Sequence, residues 1–531
     1  MNRRGTEPYA RWCERTGEVT PPPTRSRARM RGRYTDLQCN GWNVPGGHRA
    51  EIRIRSPGPF SAHVRAPVTR AGRVRYDRGT ARAPARAAQL PGDTPMTEIA
   101  EQDAARALLD FIDASPSPWH AAANVARRLR EAGYRELDER EDWTVGPGSS
   151  FFTLRDGSSL AAVRIGDGDP ARDGFRIIGA HTDSPGLRVK PDGARAHGPI
   201  AGVDVEVYGG PILATFADSD LTLAGRVMVR AGDAHAARLV HLRDPLLRLP
   251  TLAIHMNRKV NEEGLRFDLQ DELPLLLSGR DPETAPENAF RDLLARAVEV
   301  DPGAILSFEL AVADTQPGAF FGPSREFIAD SQLDNLASCH AALAALLQAP
   351  PTGGVQVVAL FDHEEVGSQS FKGAEGTFLS DVLQRVSEGL GMSPGGYRRA
   401  IAASTLLSAD MAHAYHPNYA RYYDPQHHAL VNGGPVLKIN AKQRYATDAW
   451  TEATFTRLCE NAAVTGQKYV HRNDLPCGST IGPISAARLG VRCLDVGNPM
   501  WSMHSLRESA GAHDHAAMIR LMAAFLRMSA T

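Results

Sequence analysis

Strand-like segments that end directly in histidine or carboxylate side chains are the feature that most constrains this chain. Segment 175–180 is followed by His181, and the apolar segment 355–361 leads through two residues to Glu364 and Glu365. In an open α/β sheet the carboxyl ends of parallel strands lie along one edge, and ligands bind at that edge. The pattern therefore predicts an α/β sheet that carries its functional residues on a single edge.

The rest of the pattern agrees with an α/β fold. Apolar residues recur at helical spacing over 99–112 and 337–347, and such helices alternate with apolar strands. This alternation predicts a mixed sheet covered by helices on both faces. Residues 191–321 instead contain short β-like segments and Gly/Pro turns, so we interpret them as an inserted β-rich domain for dimerisation or another interface. The catalytic domain would then comprise residues 96–190 and 322–531.

Residues 1–95 differ in kind from the remainder. They contain 19 Arg, no Lys and 7 acidic residues, and they lack sustained periodicity. Such a segment buries too little apolar surface to offset the entropy of ordering, so we predict disorder. It could be a basic arm that binds nucleic acid, an organelle transit peptide, or a misassigned start upstream of Met96. We favour the misassigned start, because amphipathic patterning begins at Met96 and a selected basic arm would be expected to contain lysine.

Composition excludes several other classes. The formal net charge is −1, and no apolar run approaches the ~20 residues that a membrane span requires. The 6 cysteines are isolated, without a CxxC pair, which fits a reducing compartment and hence the cytoplasm. No membrane partner is expected, and nucleic-acid binding ranks last among the candidate functions.

Three further residues join the candidate cluster. Asp334 opens a predicted helix, Asp410 follows a strand predicted over 402–407, and His504 follows the strand-like segment 491–496. Clustered carboxylates repel one another unless they are protonated or neutralised by a cation. Two histidines with three carboxylates suit zinc-like metals better than magnesium or calcium.

Each of these residues also has a structural explanation when it is taken alone. Asp410 could be the N-cap of a following helix. The pair Glu364 and Glu365 could be a solvated charge pair, and His504 could be a structural histidine. Their joint occurrence at one predicted edge favours the metal site.

At these residues the sequence resembles the aspartyl aminopeptidase family of two-metal exopeptidases. The similarity runs from about residue 99 to 525, and residues 1–95 fall outside it. The matching segments are 181–185, 331–335, 362–368, 408–414, 432–435, 443–446, 476–482 and 503–508.

The resemblance implies two divalent ions per subunit, zinc first, with cobalt or manganese as alternatives. His181 and Asp410 would hold one ion, Glu365 and His504 the other, and Asp334 would bridge both. A hydroxide bridging the metals would attack the peptide bond.

Two neighbouring residues receive supporting roles from the same resemblance. Glu364 would be the general base, and Asp183 would orient the imidazole of His181. Both would therefore act beside the metal ligands rather than as ligands.

The resemblance also implies the substrate and the assembly. Substrates would be short peptides with N-terminal Asp or Glu, with Lys438, His413 and His416 as candidate side-chain contacts. His255 matches a histidine that reaches the active site of a neighbouring subunit in relatives. The chain would therefore form a homo-oligomer, with dimers assembling into a dodecamer.

Two alternatives remain at this stage. One is another two-metal hydrolase on the same core, such as a broad aminopeptidase, a carboxypeptidase or an amidohydrolase. The other is a non-catalytic shell or cargo protein that kept the fold.

Overall fold

A computed structural model describes residues 98–281 and 283–529. The predictions for residues 1–95 and for Met96 lie outside this range. The helices are α1 Glu98–Asp113, α2 Pro118–Glu131, α3 Pro170–Asp173, α4 Val260–Glu263, α5 Pro286–Val298, α6 Leu333–Gln348, α7 Phe378–Gly389, α8 Pro394–Ala402, α9 Ala449–Ala462, α10 Ile481–Leu489 and α11 Asp514–Leu526. Short 3₁₀ turns cover Leu213–Thr215, Pro302–Ala304, Glu364–Val366 and Pro417–Tyr422.

The strands fall into three sheets. They are β1 Arg135–Glu136, β2 Ser150–Arg155, β3 Ser159–Ile165, β4 Phe175–His181, β5 Gly186–His197, β6 Ile200–Tyr208, β7 Leu221–Ala231, β8 Ala234–His241, β9 Leu275–Gly279, β10 Ile305–Asp314, β11 Ala319–Phe321, β12 Phe327–Asp330, β13 Val355–Phe361, β14 Thr405–Ala409, β15 Ala412–His413, β16 Val436–Ile439, β17 Gln467–Val470, β18 Arg492–Gly497, β19 Pro499–Trp501 and β20 Glu508–Gly511.

The largest sheet has the order β1-β2-β3-β13-β4-β14-β18-β16-β17. Its central strands β13, β4, β14 and β18 are parallel to one another, whereas β3 and β16 pair antiparallel with this central block. The sheet is therefore mixed, and its parallel centre aligns several strand ends at one edge.

Helices cover both faces of this sheet. Along β4, Phe175 and Ile177 belong to a core cluster with α7, α8 and α10. Ile178 and Ala180 belong to the opposite cluster, which contains α1, α2, α6, α9 and α11. Alternate residues of a strand point to opposite faces, so strand β4 is buried from both sides. The predicted mixed sheet with helices on both faces is confirmed.

A second, antiparallel sheet has the order β8-β7-β10-β5-β6-β9. Its own core includes Phe290 and Leu294 of α5. The strands of this sheet lie between Gly186 and Asp314. The limits 191–321 for an inserted domain stay a prediction.

A third, smaller sheet has the order β11-β12-β20-β19-β15. Strand β20 pairs antiparallel with β12 on one side and with β19 on the other. This sheet carries two of the segments that lead into the candidate site.

The predicted strand over 402–407 begins too early. Helix α8 extends through Ala402, and β14 begins only at Thr405. Alanine is the strongest helix former, and Ala400 of the same helix is buried against the sheet, so the alanines favour helix here. Asp410 does not cap a helix, since strand β15 follows it at Ala412. In the described part of the chain, every helix is too short or too polar to serve as a membrane span.

Candidate metal centre

Three neighbouring parallel strands deliver residues to one edge of the main sheet. His181 is the last residue of β4, and Asp410 directly follows β14. Glu364 and Glu365 lie in the 3₁₀ turn just after β13. Because β13, β4 and β14 are adjacent and parallel, these side chains reach the same edge.

The remaining two residues come from the third sheet. Asp334 lies at the start of α6, which follows β12, and His504 lies in the turn between β19 and β20. Asp334 is buried, and His504 is partly exposed. The segments that carry them meet the edge of the main sheet from outside it.

Asp334 lies between the two histidines and offers one oxygen to each. Its Oδ1 is 3.5 Å from Nε2 of His181, and its Oδ2 is 3.5 Å from Nε2 of His504. On the outer sides, His181 Nε2 is 3.8 Å from Oδ1 of Asp410, and His504 Nε2 is 3.6 Å from Oε2 of Glu365. Ligand atoms of His181, Asp334 and Glu365 all lie within 4.8 Å of one another. All five residues that the sequence analysis named as ligands thus come together.

Both imidazoles are held through the other ring nitrogen. Nδ1 of His181 lies 3.0 Å from the backbone carbonyl oxygen of Asp183, and Nδ1 of His504 lies 3.1 Å from that of Gly210. A carbonyl can only accept, so Nδ1 carries a proton and Nε2 is the ring nitrogen that faces the carboxylates. Metal-binding histidines are commonly oriented in this way.

The carboxylates are crowded in a buried space. Burial, together with Asp410, Asp183 and Asp334, raises the pKa of Glu364 to about 7 against the opposing effect of His181. Burial and the Asp334 carboxylate likewise raise the pKa of Glu365 well above its usual range.

Asp334 Oδ1 is buried and accepts no hydrogen bond from the described residues. A buried acceptor without a donor, close to two glutamates whose pKa values are raised, fits a bound cation. The residues present therefore fit a metal centre.

The carboxylate of Asp183 supports the turn that follows β13. It accepts hydrogen bonds at 3.1 Å from the backbone N–H groups of both Glu364 and Glu365, and one at 2.7 Å from the hydroxyl of Tyr208. Its Oδ1 is 3.5 Å from Nδ1 of His181, farther than the backbone carbonyl of Asp183 itself. The side chain thus contacts the glutamate turn more closely than the imidazole.

The segment after β6 touches the site, and the sequence analysis did not identify it. Gly209 adopts φ +68°, and a Cβ added there would lie 3.1 Å from Cβ of Glu365. Ile212 N–H donates to the backbone oxygen of His504 at 2.8 Å. The sequence feature that could have identified this segment is the pair Gly209–Gly210 directly after a strand, because such glycines often mark a close approach of the backbone to another group.

Lys438 lies beside the proposed ligand Asp410. Its side chain is only 2% exposed, and its Nζ is 3.2 Å from Oδ2 of Asp410. It also donates to the Met411 carbonyl at 3.0 Å and lies over the ring of Tyr445. Lys438 is therefore a buried, paired cation and not a solvated residue of the strand surface.

The three candidate histidines occupy different surroundings. The ring of His413 packs against Tyr469, and burial together with Lys438 lowers the pKa of His413 to about 4. His416 packs against Tyr419. His255 is exposed in the segment between β8 and β9. The positive charge of Lys438 thus acts on His413.

Two oriented histidines gathered with buried carboxylates at the edge of an α/β sheet define a candidate metal centre. The family model for "Aminopeptidase I zinc metalloprotease (M18)" matches residues 111–526. The chain belongs to this M18 family of metalloaminopeptidases. The family resemblance drawn from the sequence is confirmed.

Individual relatives and solved structures agree with this family assignment. The chain is 47% identical over 428 residues to a "Probable M18 family aminopeptidase 2" of Pseudomonas paraeruginosa, covering 80% of this chain and 97% of the relative. A cryo-EM structure of a complex of Ape4 and Nbr1 contains a chain that is 39% identical, with a TM-score of 0.78 and coverage of 82% and 87%. The S. cerevisiae mApe1 dodecamer is 25% identical, with a TM-score of 0.71 and coverage of 80% and 96%.

Proposed function

We propose that this protein removes N-terminal Asp or Glu residues from short peptides at a site that holds two divalent cations. The observation that carries the proposal is the position of Asp334, whose two oxygens each face the Nε2 atom of a different histidine at 3.5 Å. A carboxylate shared in this way suits two ions rather than one.

The two ions would have separate terminal ligands. His181 and Asp410 would hold one, Glu365 and His504 the other, and Asp334 both. Zinc is the first candidate, with cobalt or manganese as alternatives, because histidine and carboxylate ligands suit all three. When bound, the cations would neutralise the carboxylates, polarise the scissile carbonyl and activate a water for attack.

Glu364 is the proposed general base. This carboxylate adjoins the proposed ligand Glu365 and is not itself assigned to a metal, so it can both accept and return a proton. It would take the proton of the attacking water and deliver it to the nitrogen of the leaving amine. The hydrogen bond from the Glu364 N–H to Asp183 fixes the backbone of this residue.

The preference for acidic N-terminal residues is supported by the surroundings of Lys438. A buried ammonium beside the metal centre would attract a substrate carboxylate, and His413 lies close enough to Lys438 for the charge to lower its pKa. His416 is a further candidate on the segment that follows His413. Lys438 would then be shared between Asp410 and the substrate side chain.

We further propose a homo-oligomer, formed from dimers that assemble into a dodecamer in the cytoplasm. One solved relative is a dodecamer. Large apolar side chains around His255 are exposed, namely Leu252 at 61%, Ile254 at 47% and Met256 at 76%. Such a surface favours contact with a second subunit, where His255 would reach the neighbouring site.

The decisive experiment compares two peptides that differ only in N-terminal Asp or Leu, together with N-acetylated versions of both. We expect faster cleavage of the free Asp peptide, loss of cleavage on chelation, and recovery with zinc or manganese. Cleavage of the acetylated peptide would reject an aminopeptidase. Equal rates for Asp and Leu would reject the acidic preference, and no cleavage by protein that holds two metals per chain would favour another two-metal hydrolase or a non-catalytic protein.

A further inference from the structure

Glu508, the first residue of β20, connects the backbones of two proposed metal ligands. Its Oε2 accepts a hydrogen bond from the N–H of Asp334 at 2.9 Å, and its Oε1 accepts one from the N–H of His504 at 2.6 Å. The residue is only 2% exposed. One buried carboxylate therefore spans the two residues that share the centre of the site.

The two ligands depend on this connection because they reach the site on separate segments. Asp334 follows β12, and His504 lies in the turn that precedes β20. Glu508 pairs with Asp330 in the ladder between these strands, so its side chain starts from a fixed point between the two segments. One oxygen of the Glu508 carboxylate accepts from the segment after β12, and the other accepts from the turn before β20.

The backbone of His504 needs such support. It adopts φ +70°, a conformation that residues other than glycine seldom adopt. The hydrogen bond from its N–H to Glu508 restrains one side of this residue, and the bond from Ile212 N–H to its carbonyl restrains the other. Loss of the Glu508 bond would free the peptide that aims the imidazole.

We propose that Glu508 is a positioning residue, which fixes the separation of Asp334 and His504 and thereby sets the metal affinity of the site. This inference rests on the metal role proposed above for those two residues. Glu508 itself binds no metal in this scheme, because both of its oxygens already accept backbone hydrogen bonds.

The chain offers a matched control in Asp514 at the start of α11. This carboxylate is also buried, and it accepts backbone hydrogen bonds from Asn432 at 2.7 Å and Gly434 at 2.8 Å. Neither of those partners is a proposed metal ligand. A merely structural carboxylate should therefore behave as Asp514 does.

The test compares Glu508→Gln with Asp514→Asn in the full chain. Each change keeps the size of the side chain but turns an amide NH₂ group toward a backbone N–H. We would measure zinc affinity by competition with a zinc indicator, and the melting temperature of the metal-free proteins. We expect both variants to melt earlier, whereas only Glu508→Gln should bind zinc more weakly, by roughly 10- to 100-fold.

Unchanged zinc affinity in Glu508→Gln, with the same loss of melting temperature as Asp514→Asn, would overturn the proposal. If Glu508→Gln does not fold, Glu508→Asp replaces it, because the shorter carboxylate keeps two acceptors but cannot span the same gap. Wild-type zinc affinity in Glu508→Asp would also overturn the proposal. Failure of the wild-type chain to bind zinc or cleave peptides would instead reject the proposed function.

Discussion

The hydroxyl of Tyr208 donates a hydrogen bond of 2.7 Å to the carboxylate of Asp183. Tyr208 ends β6 of the second sheet, whereas Asp183 follows β4 of the main sheet. The same carboxylate holds the N–H groups of Glu364 and Glu365. Through this contact, the second sheet supports the turn that carries the proposed general base.

Replacing Tyr208 with Phe should therefore weaken both the fold and the reaction. Removing a hydrogen bond to a buried charged group costs roughly 1.5–3 kcal/mol. Displacement of the glutamate turn should lower kcat/KM by roughly 10- to 100-fold. Urea denaturation and peptide cleavage would measure the two effects. Tyr422→Phe is the control. Tyr422 is 46% exposed, and its hydroxyl accepts a hydrogen bond from the neighbouring Arg421.

Adjacent residues Glu364 and Glu365 should respond differently to the same substitution. Glu364→Gln removes the proposed base, so kcat should fall by roughly 10²- to 10⁴-fold with metal content unchanged. Glu365→Gln removes a proposed ligand and should lower metal content. Elemental analysis of both variants would measure their metal content, and peptide cleavage would measure kcat; together they distinguish a base from a ligand. Loss of metal from Glu364→Gln would make this residue a ligand instead.

Lys438→Met should produce two separable effects. Breaking a buried pair leaves the Asp410 carboxylate unpaired, which should destabilise the metal-free protein by about 3–5 kcal/mol. The ratio of kcat/KM for Asp and Leu peptides should also fall, because the cation facing the acidic side chain is gone. Exposed Lys442 provides the control substitution. A uniform loss for both peptides would remove Lys438 from the specificity pocket and leave only its pairing with Asp410.

A buried histidine pair away from the metal centre should make stability depend on pH. His340 Nδ1 and His515 Nε2 lie 2.8 Å apart. Burial lowers the pKa of His515 to about 3, and burial with His515 and Arg128 lowers that of His340. The folded state thus excludes protons that the unfolded chain binds below its pKa of about 6.5, so stability falls as pH drops from about 6.5 toward 3.

His515→Gln should remove part of this dependence. Well below pH 6.5, each such histidine contributes a slope of about 1.4 kcal/mol per pH unit. Urea denaturation of the metal-free protein across this pH range should show the smaller slope in the variant. Exposed His235→Gln should leave the slope unchanged. An unaltered slope in His515→Gln would show that this pair does not govern acid stability.

The sequence was most informative where local pattern alone decides structure. The apolar segment 355–361 is strand β13 with the same limits, His181 ends β4, and Asp410 follows its parallel neighbour β14. Convergence of His181, Glu365 and Asp410 followed from one topological rule about strand ends. Asp334 and His504 instead reach this edge on segments of the third sheet, which the rule does not cover. The roles of those residues remain predictions.

Contacts between distant segments could not be derived in the same way. The alternation of apolar and polar residues along a strand does not predict which carboxylate pairs with Lys438. It also does not predict that Tyr208 donates a hydrogen bond to Asp183. The contacts of Glu508 with two backbone N–H groups likewise depend on the pairing of β12 with β20, which are far apart in the sequence. Such contacts arise from tertiary packing, which local periodicity does not encode.

The five proposed ligands are distributed from residue 181 to residue 504, and strand β20 follows the last of them. A ribosome synthesises the chain from its amino end, so a growing chain lacks His504 and Glu508 until every other proposed ligand has been made. A nascent or prematurely released chain therefore holds no complete centre. The proposed centre could be completed only after β18, the last strand of the main sheet to be synthesised, has been made.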